Sequence, residues 1–164
     1  MHRAPFRYRG TGADLVHRFK FGRDLATGQH LARAMALAIG PWARGPGRRA
    51  LVVAVPRHRR KLRQAGFDQA GWLARAVADR TGLVLGQNLL VRTRPTLAQA
   101  DPRVTNREAN VADAFACPGA WAVEGRLVLL VDDVLTSGAT ARACAATIRA
   151  ARASAVAVVT AARA

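Results

Sequence analysis

The sequence predicts an α/β domain in which a parallel β-sheet is covered by helices. Continuous apolar, β-branched runs recur at "ALVVAV" (50–55), "RLVLLVDD" (126–133) and "SAVAVVTAA" (154–162), as in strands buried on both faces. Stretches with helical apolar spacing lie between them, at 66–82 and 138–153. Alternation of this kind builds a parallel sheet, because each return to the same sheet edge needs a crossover helix.

Taken in chain order, residues 12–39 predict a helix in two pieces with a break near Gly22. Leu15, Phe19, Leu25, Leu31, Met35 and Ile39 supply its apolar spacing. "GPWARGPGRR" (40–49) is rich in Pro and Gly and is expected to end the helix, so residues 1–47 read as a helical N-terminal segment. In "GFDQAGWLARAVADRTG" (66–82), Phe67, Ala70, Leu73, Ala74 and Val77 form one stripe, with Gly82 as the stop. "NLLVR" (88–92) is a short strand candidate. Residues 93–110 are polar, contain Pro95 and Pro102, and show no period. Loops longer than ~12 residues are usually functional lids or disordered, so this one is a candidate mobile loop. No internal repeat divides the chain, and 1–164 reads as a single domain.

Hydrophobic content of 51% and charged content of 22% are globular values. No apolar run approaches the ~20 residues of a membrane span, and "MHRAPFRYRG" has no apolar core of a secretory signal. A cytoplasmic location without membrane partners is the expectation. Cys117 and Cys144 fall in no metal-ligand spacing and read as small apolar residues, with a disulfide between them left open. His2, His17, His30 and Trp42 join no constellation.

The net charge is +16, carried almost wholly by arginine, since Lys20 and Lys61 are the two lysines. The guanidinium fork matches phosphate oxygens, which points to phosphorylated ligands or weak DNA binding. A GC-rich genome also scatters arginines, so the clustered run "RHRRKLR" (57–63) carries more of the argument.

Chemistry concentrates in "LVLLVDDVLTSGAT" (127–140). Asp132 and Asp133 stand at the carboxyl end of a predicted strand, where open parallel sheets bind ligands. "TSGAT" then opens a helix whose unpaired N–H groups and partial positive charge suit a phosphate. Thr136, Ser137 and Thr140 add hydroxyls, and Gly138 permits close approach or positive φ. A carboxylate pair beside a phosphate cradle fits a ribose 5-phosphate. A Walker B strand also ends in acids, but no G-x-x-x-x-G-K-[ST] loop exists in the chain. A plain helix cap stabilises by ~1 kcal/mol and accounts for one hydroxyl, not for the aspartates. Adjacent carboxylates repel, so without ligand the pair is expected to cost stability. Pro56, Arg57 and His58 follow the first buried strand and lie at the same sheet edge, where Arg57 or His58 can neutralise developing phosphate charge.

These fourteen residues resemble the motif of type I phosphoribosyltransferases that binds phosphoribosyl pyrophosphate (PRPP). The resemblance implies that Asp132 and Asp133 contact the ribose hydroxyls. It implies that Thr136, Ser137, Gly138, Ala139 and Thr140 wrap the 5-phosphate. Mg²⁺ arrives with PRPP, bridging ribose and pyrophosphate, with no metal held by the protein's own ligand set. "AVPRHRRKLRQAGFDQAGWLARAVA" (54–78) is similar to the ComF family's Pro, basic run and Gly-Phe-Asn-Gln segment, with Asp68 in place of Asn. There Pro56, Arg57 and His58 would meet the pyrophosphate. Gln99, Arg107 and Asn110, with Phe115 beyond, match that family's mobile loop, although Pro102 stands where leucine is typical. "YRGTGADLVHRFKF" (8–21) resembles its early segment, with Lys20 in the usual place.

ComF proteins commonly begin with a cysteine-rich zinc module, whereas this chain has no CxxC, so the resemblance implies no zinc. A late start and a lost module both stay open. The implied activity is transfer of a phosphoribosyl group to an unknown amine or nucleobase, with release of pyrophosphate. The alternative is a non-catalytic accessory protein in DNA uptake (competence) or nucleotide sensing, with competence-machinery proteins as partners. Oligomeric state is not legible.

Overall fold

The apolar run at 127–131 becomes the centre of the sheet. The computed structural model describes residues 1–95, 109, 111 and 113–164, without the Lys61 side chain. In chain order the elements are β1 (His2–Arg3), β2 (Phe6–Arg7), α1 (Thr11–Gly22), α2 (Leu25–Arg44), β3 (Leu51–Ala54) and α3 (Arg59–Ala65). There follow α4 (Gln69–Thr81), β4 (Val84–Leu85), β5 (Val91–Arg92), β6 (Phe115–Ala116), α5 (Ala120–Val123), β7 (Leu127–Leu135), α6 (Ala139–Ala150) and β8 (Ala155–Arg163). The main sheet runs β1-β8-β7-β3-β4, with β2 also on β8, and its pairings are parallel. β5 and β6 form a separate antiparallel pair.

β7 alternates its apolar side chains between two cores. Leu129 and Val131 pack with Val16, Phe19, Leu31 and Leu73 from α1, α2 and α4. Val128 and Leu130 pack with Cys144 and Ile148 of α6, with Val123 of α5 and with Phe115 of β6. The sheet is therefore covered on both faces, which is why its strands read as continuous apolar runs.

Local chemistry fixes the helix ends. Asp24 caps α2 by accepting from the Thr27 N–H at 3.0 Å, and Asp68 caps α4 by accepting from the Gly71 N–H at 3.1 Å. Asp and Asn cap equally well, so Asp68 does this job as an Asn would. Gly82 ends α4 at φ 70°, as expected of a left-handed cap.

Four expectations need correction. Residues 1–47 are not wholly helical, because β1 and β2 precede α1 and add to the β8 edge. Two-residue strands show no period, so only their partner reveals them. The helix does not end before residue 40, since α2 continues through Pro41 to Arg44. Pro41 sits in its last turn, and the bond it cannot make would go to the carbonyl of Leu37, which is exposed. The strand in "NLLVR" shrinks to Val91–Arg92 and lies off the main sheet, while β4 at Val84–Leu85 takes the sheet edge. Finally, β7 runs on to Leu135, so both aspartates lie inside the strand rather than at its end.

Candidate functional site

β7 carries its ladder past the aspartates, with Asp132 opposite Thr160 and Val134 opposite Ala162 of β8. Strand alternation then aims the two neighbours at different faces, although their carboxyls stay close enough to act on each other. Asp133, 9% exposed, points toward the α1 side, where Lys20 Nζ lies 2.8 Å from its Oδ2. Asp132 is half-buried on the α6 side, where its charge is felt by Cys144 and Arg92. Each carboxylate also accepts the next backbone N–H at 2.8 Å, Asp132 from Asp133 and Asp133 from Val134.

The two carboxyls therefore titrate in opposite directions. Burial pushes Asp132 well above the ordinary carboxylate value, and the charge of Asp133 adds to this. Burial opposes ionisation of Asp133 too, but the Lys20 ammonium outweighs it and holds that carboxyl below its ordinary value. The expectation that the pair merely repels is corrected here. Asp133 has a buried counter-ion, and the cost of the pair falls on Asp132.

The phosphate-loop candidates follow directly. Gly138, at φ 78°, is the N-cap of α6 and has no side chain of its own to cap the helix. Ser137 Oγ accepts from the Ala139 N–H at 3.3 Å. Arg142 Nη1 donates to the Ser137 carbonyl at 3.0 Å, which sets a guanidinium beside the loop. Thr136 is exposed. The loop and both aspartates line one cavity of about 300 Å³, together with Lys20, Pro56, Arg57, Gln69 and Arg92. Gln69 Nε2 donates to the Lys20 carbonyl at 3.1 Å, while its buried Oε1 has no hydrogen-bond partner among the described residues.

Of the expected pyrophosphate loop, Pro56 and Arg57 reach this cavity. His58 is placed differently, since its Nδ1 accepts the Arg60 N–H at 3.3 Å and caps α3. Gln99, Arg107 and Asn110 lie outside the described residues. Lys20 drew notice in the sequence only through the family resemblance, while Gln69, Arg92 and Arg142 were missed as site residues. A cation expected to balance a buried carboxylate is a signal, but it does not say which of many arginines or two lysines supplies it. Burial lowers the Arg92 guanidinium from its ordinary value, and its Cζ lies 5.2 Å from the Phe115 ring centroid.

The histidines serve packing and local bonds. His17 Nε2 is 2.8 Å from the Tyr8 hydroxyl, His2 Nε2 is 3.2 Å from Thr160 Oγ1, and His30 stacks on Phe6. Both cysteines are free thiols, and burial raises each above its ordinary value. No helix among the described residues is long and apolar enough to cross a membrane.

A larger cavity, about 860 Å³, lies elsewhere along β1 and β2, lined by Arg3, Arg7, Arg9 and Arg163. Burial, then Arg163, the N-terminal ammonium and Arg3, lower the pKa of His2 there. The field in that groove is strongly positive.

Compared with known proteins, no family profile matches the chain. The DNA utilization protein YhgH of Escherichia coli (strain K12) is 29% identical over 128 residues, covering 77% of this chain and 56% of that protein. The protein of the same name from Salmonella typhimurium (strain LT2) is 30% identical over the same span. The chain thus spans about half the length of the curated relatives it matches, 56% of each. Among solved structures, the glutamine phosphoribosylpyrophosphate amidotransferase from B. subtilis, complexed with ADP and GMP, superposes with a TM-score of 0.53 at 22% identity, covering 82% of this chain and 26% of that one. An HPRT with an invariant aspartic acid changed to alanine gives 0.50 at 15% identity, covering 81% and 65%. These likenesses show the fold, a type I phosphoribosyltransferase-like parallel sheet flanked by helices.

Proposed function

We propose that the chain binds phosphoribosyl pyrophosphate and transfers its phosphoribosyl group to an amine or nucleobase acceptor. One observation carries this reading: an acid pair and a hydroxyl-rich helix N-terminus open together into a cavity of about 300 Å³. That volume suits a sugar phosphate and is too small for a large cofactor. The amidotransferase and HPRT likenesses support the reading through the fold.

In this reading Asp132 and Asp133 accept hydrogen bonds from the two ribose hydroxyls. The N–H groups opening α6, with Thr136, Ser137 and Thr140, hold the 5-phosphate, and Arg142 adds charge behind them. Gln69 Oε1 is a buried acceptor waiting for a donor, which a hydroxyl or an ordered water supplies. Arg57 neutralises the leaving pyrophosphate. The acceptor nitrogen forms a bond to C1 as the C1–O bond breaks. That bond's electron pair leaves with pyrophosphate, and the nitrogen loses a proton to solvent. The hard carboxylate oxygen of Asp132 fits Mg²⁺, which would share the phosphate charge while the ligand supplies most donors. Catalysis is then positioning and electrostatics.

Calorimetric titration tests this with Mg-PRPP, Mg-ribose 5-phosphate and Mg-pyrophosphate in separate runs. The expected result is binding of all three, with PRPP tightest and ribose 5-phosphate competing with it. Absence of PRPP binding, or binding unchanged by Asp132→Asn, sinks the proposal.

The basic groove along β1 and β2 favours a second reading, that of a DNA-handling accessory protein, as the relatives' name suggests. Phosphate contacts release counterions, so affinity for a short single-stranded oligonucleotide should fall steeply as salt rises. Anisotropy that barely changes with salt, or that survives loss of Arg3 and Arg7, argues against this groove.

A further inference from the structure

The basic groove and the acid-pair cavity are neighbours, and Tyr8 lines both. The β ladder joins them. Leu135, the last residue of β7 before the phosphate-loop candidates, pairs with Arg163 of β8, and Arg163 pairs with Arg7 of β2. The Ala164 N–H donates to the Leu135 carbonyl at 2.9 Å, and the Tyr8 N–H donates to the Arg163 carbonyl at 2.7 Å. Adjacent strands lie about 4.8 Å apart, so Arg163 and Arg7 stand one and two strand spacings from the residue that enters the loop. The groove therefore adjoins the phosphate end of the proposed sugar site.

We propose that the site also takes the 3′-terminal nucleotide of a single-stranded RNA, with the preceding nucleotides laid along the β1–β2 groove. The inference rests on both readings above, the sugar site and the nucleic-acid groove. Within an RNA strand, a ribose with both 2′ and 3′ hydroxyls free occurs only at the 3′ end. Asp132 and Asp133 would accept from that diol, which a DNA end lacks. The N–H groups opening α6 would hold the 5′-phosphodiester through its non-bridging oxygens. From that diester the strand runs in the 5′ direction, toward Arg163 and Arg7. The order of the parts thus sets the polarity: acid pair, phosphate loop, arginines.

The charge of the groove fits such a strand. Arg3, Arg7, Arg9 and Arg163 line it and are exposed, and no Asp or Glu side chain joins them. No ion pair among the described residues engages them. A chain of successive phosphates reaches guanidiniums spread over β1, β2 and β8, whereas a lone mononucleotide in the acid-pair cavity leaves most of them unanswered. Tyr8 stands half-buried at the junction, with its hydroxyl 2.8 Å from His17 Nε2. An aromatic ring there suits a base of the strand, since stacking on such rings holds single strands without sequence preference.

The test is fluorescence anisotropy at low salt with a short 5′-labelled oligouridylate carrying its natural 3′ diol, and with the same strand ending in a 2′,3′-dideoxynucleotide. The diol strand should bind the parent about tenfold or more tightly, because hydrogen bonds to carboxylates are charge-assisted. Saturating Mg-PRPP should abolish that preference and leave the two strands equal. The Arg3→Gln, Arg7→Gln double variant should bind both strands several-fold more weakly and keep its calorimetric affinity for Mg-PRPP. If Mg-PRPP binds but the two strands bind equally, or the preference survives saturating Mg-PRPP, the strand end does not enter the site and both earlier readings stand. If neither strand binds, or the double variant binds both like the parent, the groove reading falls together with this inference. If Mg-PRPP itself does not bind, the sugar-site reading falls and takes this inference with it.

Discussion

Asp132 and Asp133 are neighbours of the same type, and the fold treats them as opposites. Asp133 turns to the α1 side, where Lys20 stands 2.8 Å away. Asp132 turns to the α6 side, toward Cys144 and Arg92, where burial makes its ionisation unfavourable. The same residue type therefore stabilises on one face and costs on the other. The difference shows that one strand can set like neighbours in opposite fields, because the groups packed on each face decide the sign of each shift.

The largest expected effect breaks the anchored side. Asp133→Asn should destabilise the chain by about 2 kcal/mol at neutral pH, because Lys20 loses its partner in a largely buried setting. That corresponds to a fall in Tm of roughly 4–8 °C for a chain of this size, read by thermal denaturation. Lys20→Met should cost a similar amount, and the double variant less than the sum. Additive losses would mean that the pair contributes nothing as a pair.

Asp132→Asn tests the other side. Stability at neutral pH should stay level or rise, since a disfavoured charge disappears while the side-chain shape is kept. Mg-PRPP affinity should fall by about tenfold or more, as a charge-assisted bond contributes ~1.5–3 kcal/mol. A variant that unfolds more easily yet binds like the parent would remove Asp132 from the ribose site.

The pH dependence sharpens the contrast further. Asp133 has a lowered folded pKa, so its stabilisation is present above the ordinary carboxylate value of 3.8 and is lost as pH falls through the folded value. Asp132 has a raised folded pKa, so its contribution is favourable below 3.8 and is lost as pH rises toward that raised value. Urea denaturation across pH should show both limbs in the parent. Asp132→Asn should remove the alkaline-side decline, and Asp133→Asn the acid-side one.

The smallest effect lies at the phosphate end. Thr140→Val should weaken Mg-PRPP and ribose 5-phosphate binding severalfold, about 1 kcal/mol, and leave pyrophosphate binding unchanged. Equal loss for all three ligands in competition calorimetry would place Thr140 outside the phosphate cradle.

Much of this is legible in the residues themselves. The apolar runs of β3, β7 and β8 declare buried parallel strands, because such a strand shows no polar face. Asp68, Gly82 and Gly138 mark helix ends through chemistry confined to one turn. The segment from Asp132 to Thr140 announces a polar site because no local packing need explains it. Local pattern does not say which helix covers which face of β7, and so it could not pair Lys20 with Asp133 or bring Arg92 and Gln69 to the same cavity. Those partners are distant in sequence, and one cation resembles another until the sheet and its helices set them in place. β1 and β2 are too short for any period to show, and only the waiting edge of β8 makes them strands. A cleft of about 560 Å³ lies between α3, α4 and the ends of two strands, so no single stretch of sequence contains it. Sequence determined what each segment would be. Packing decided which side chains would meet, because alternation fixes the faces of a strand but tertiary contact alone chooses what lies opposite each one.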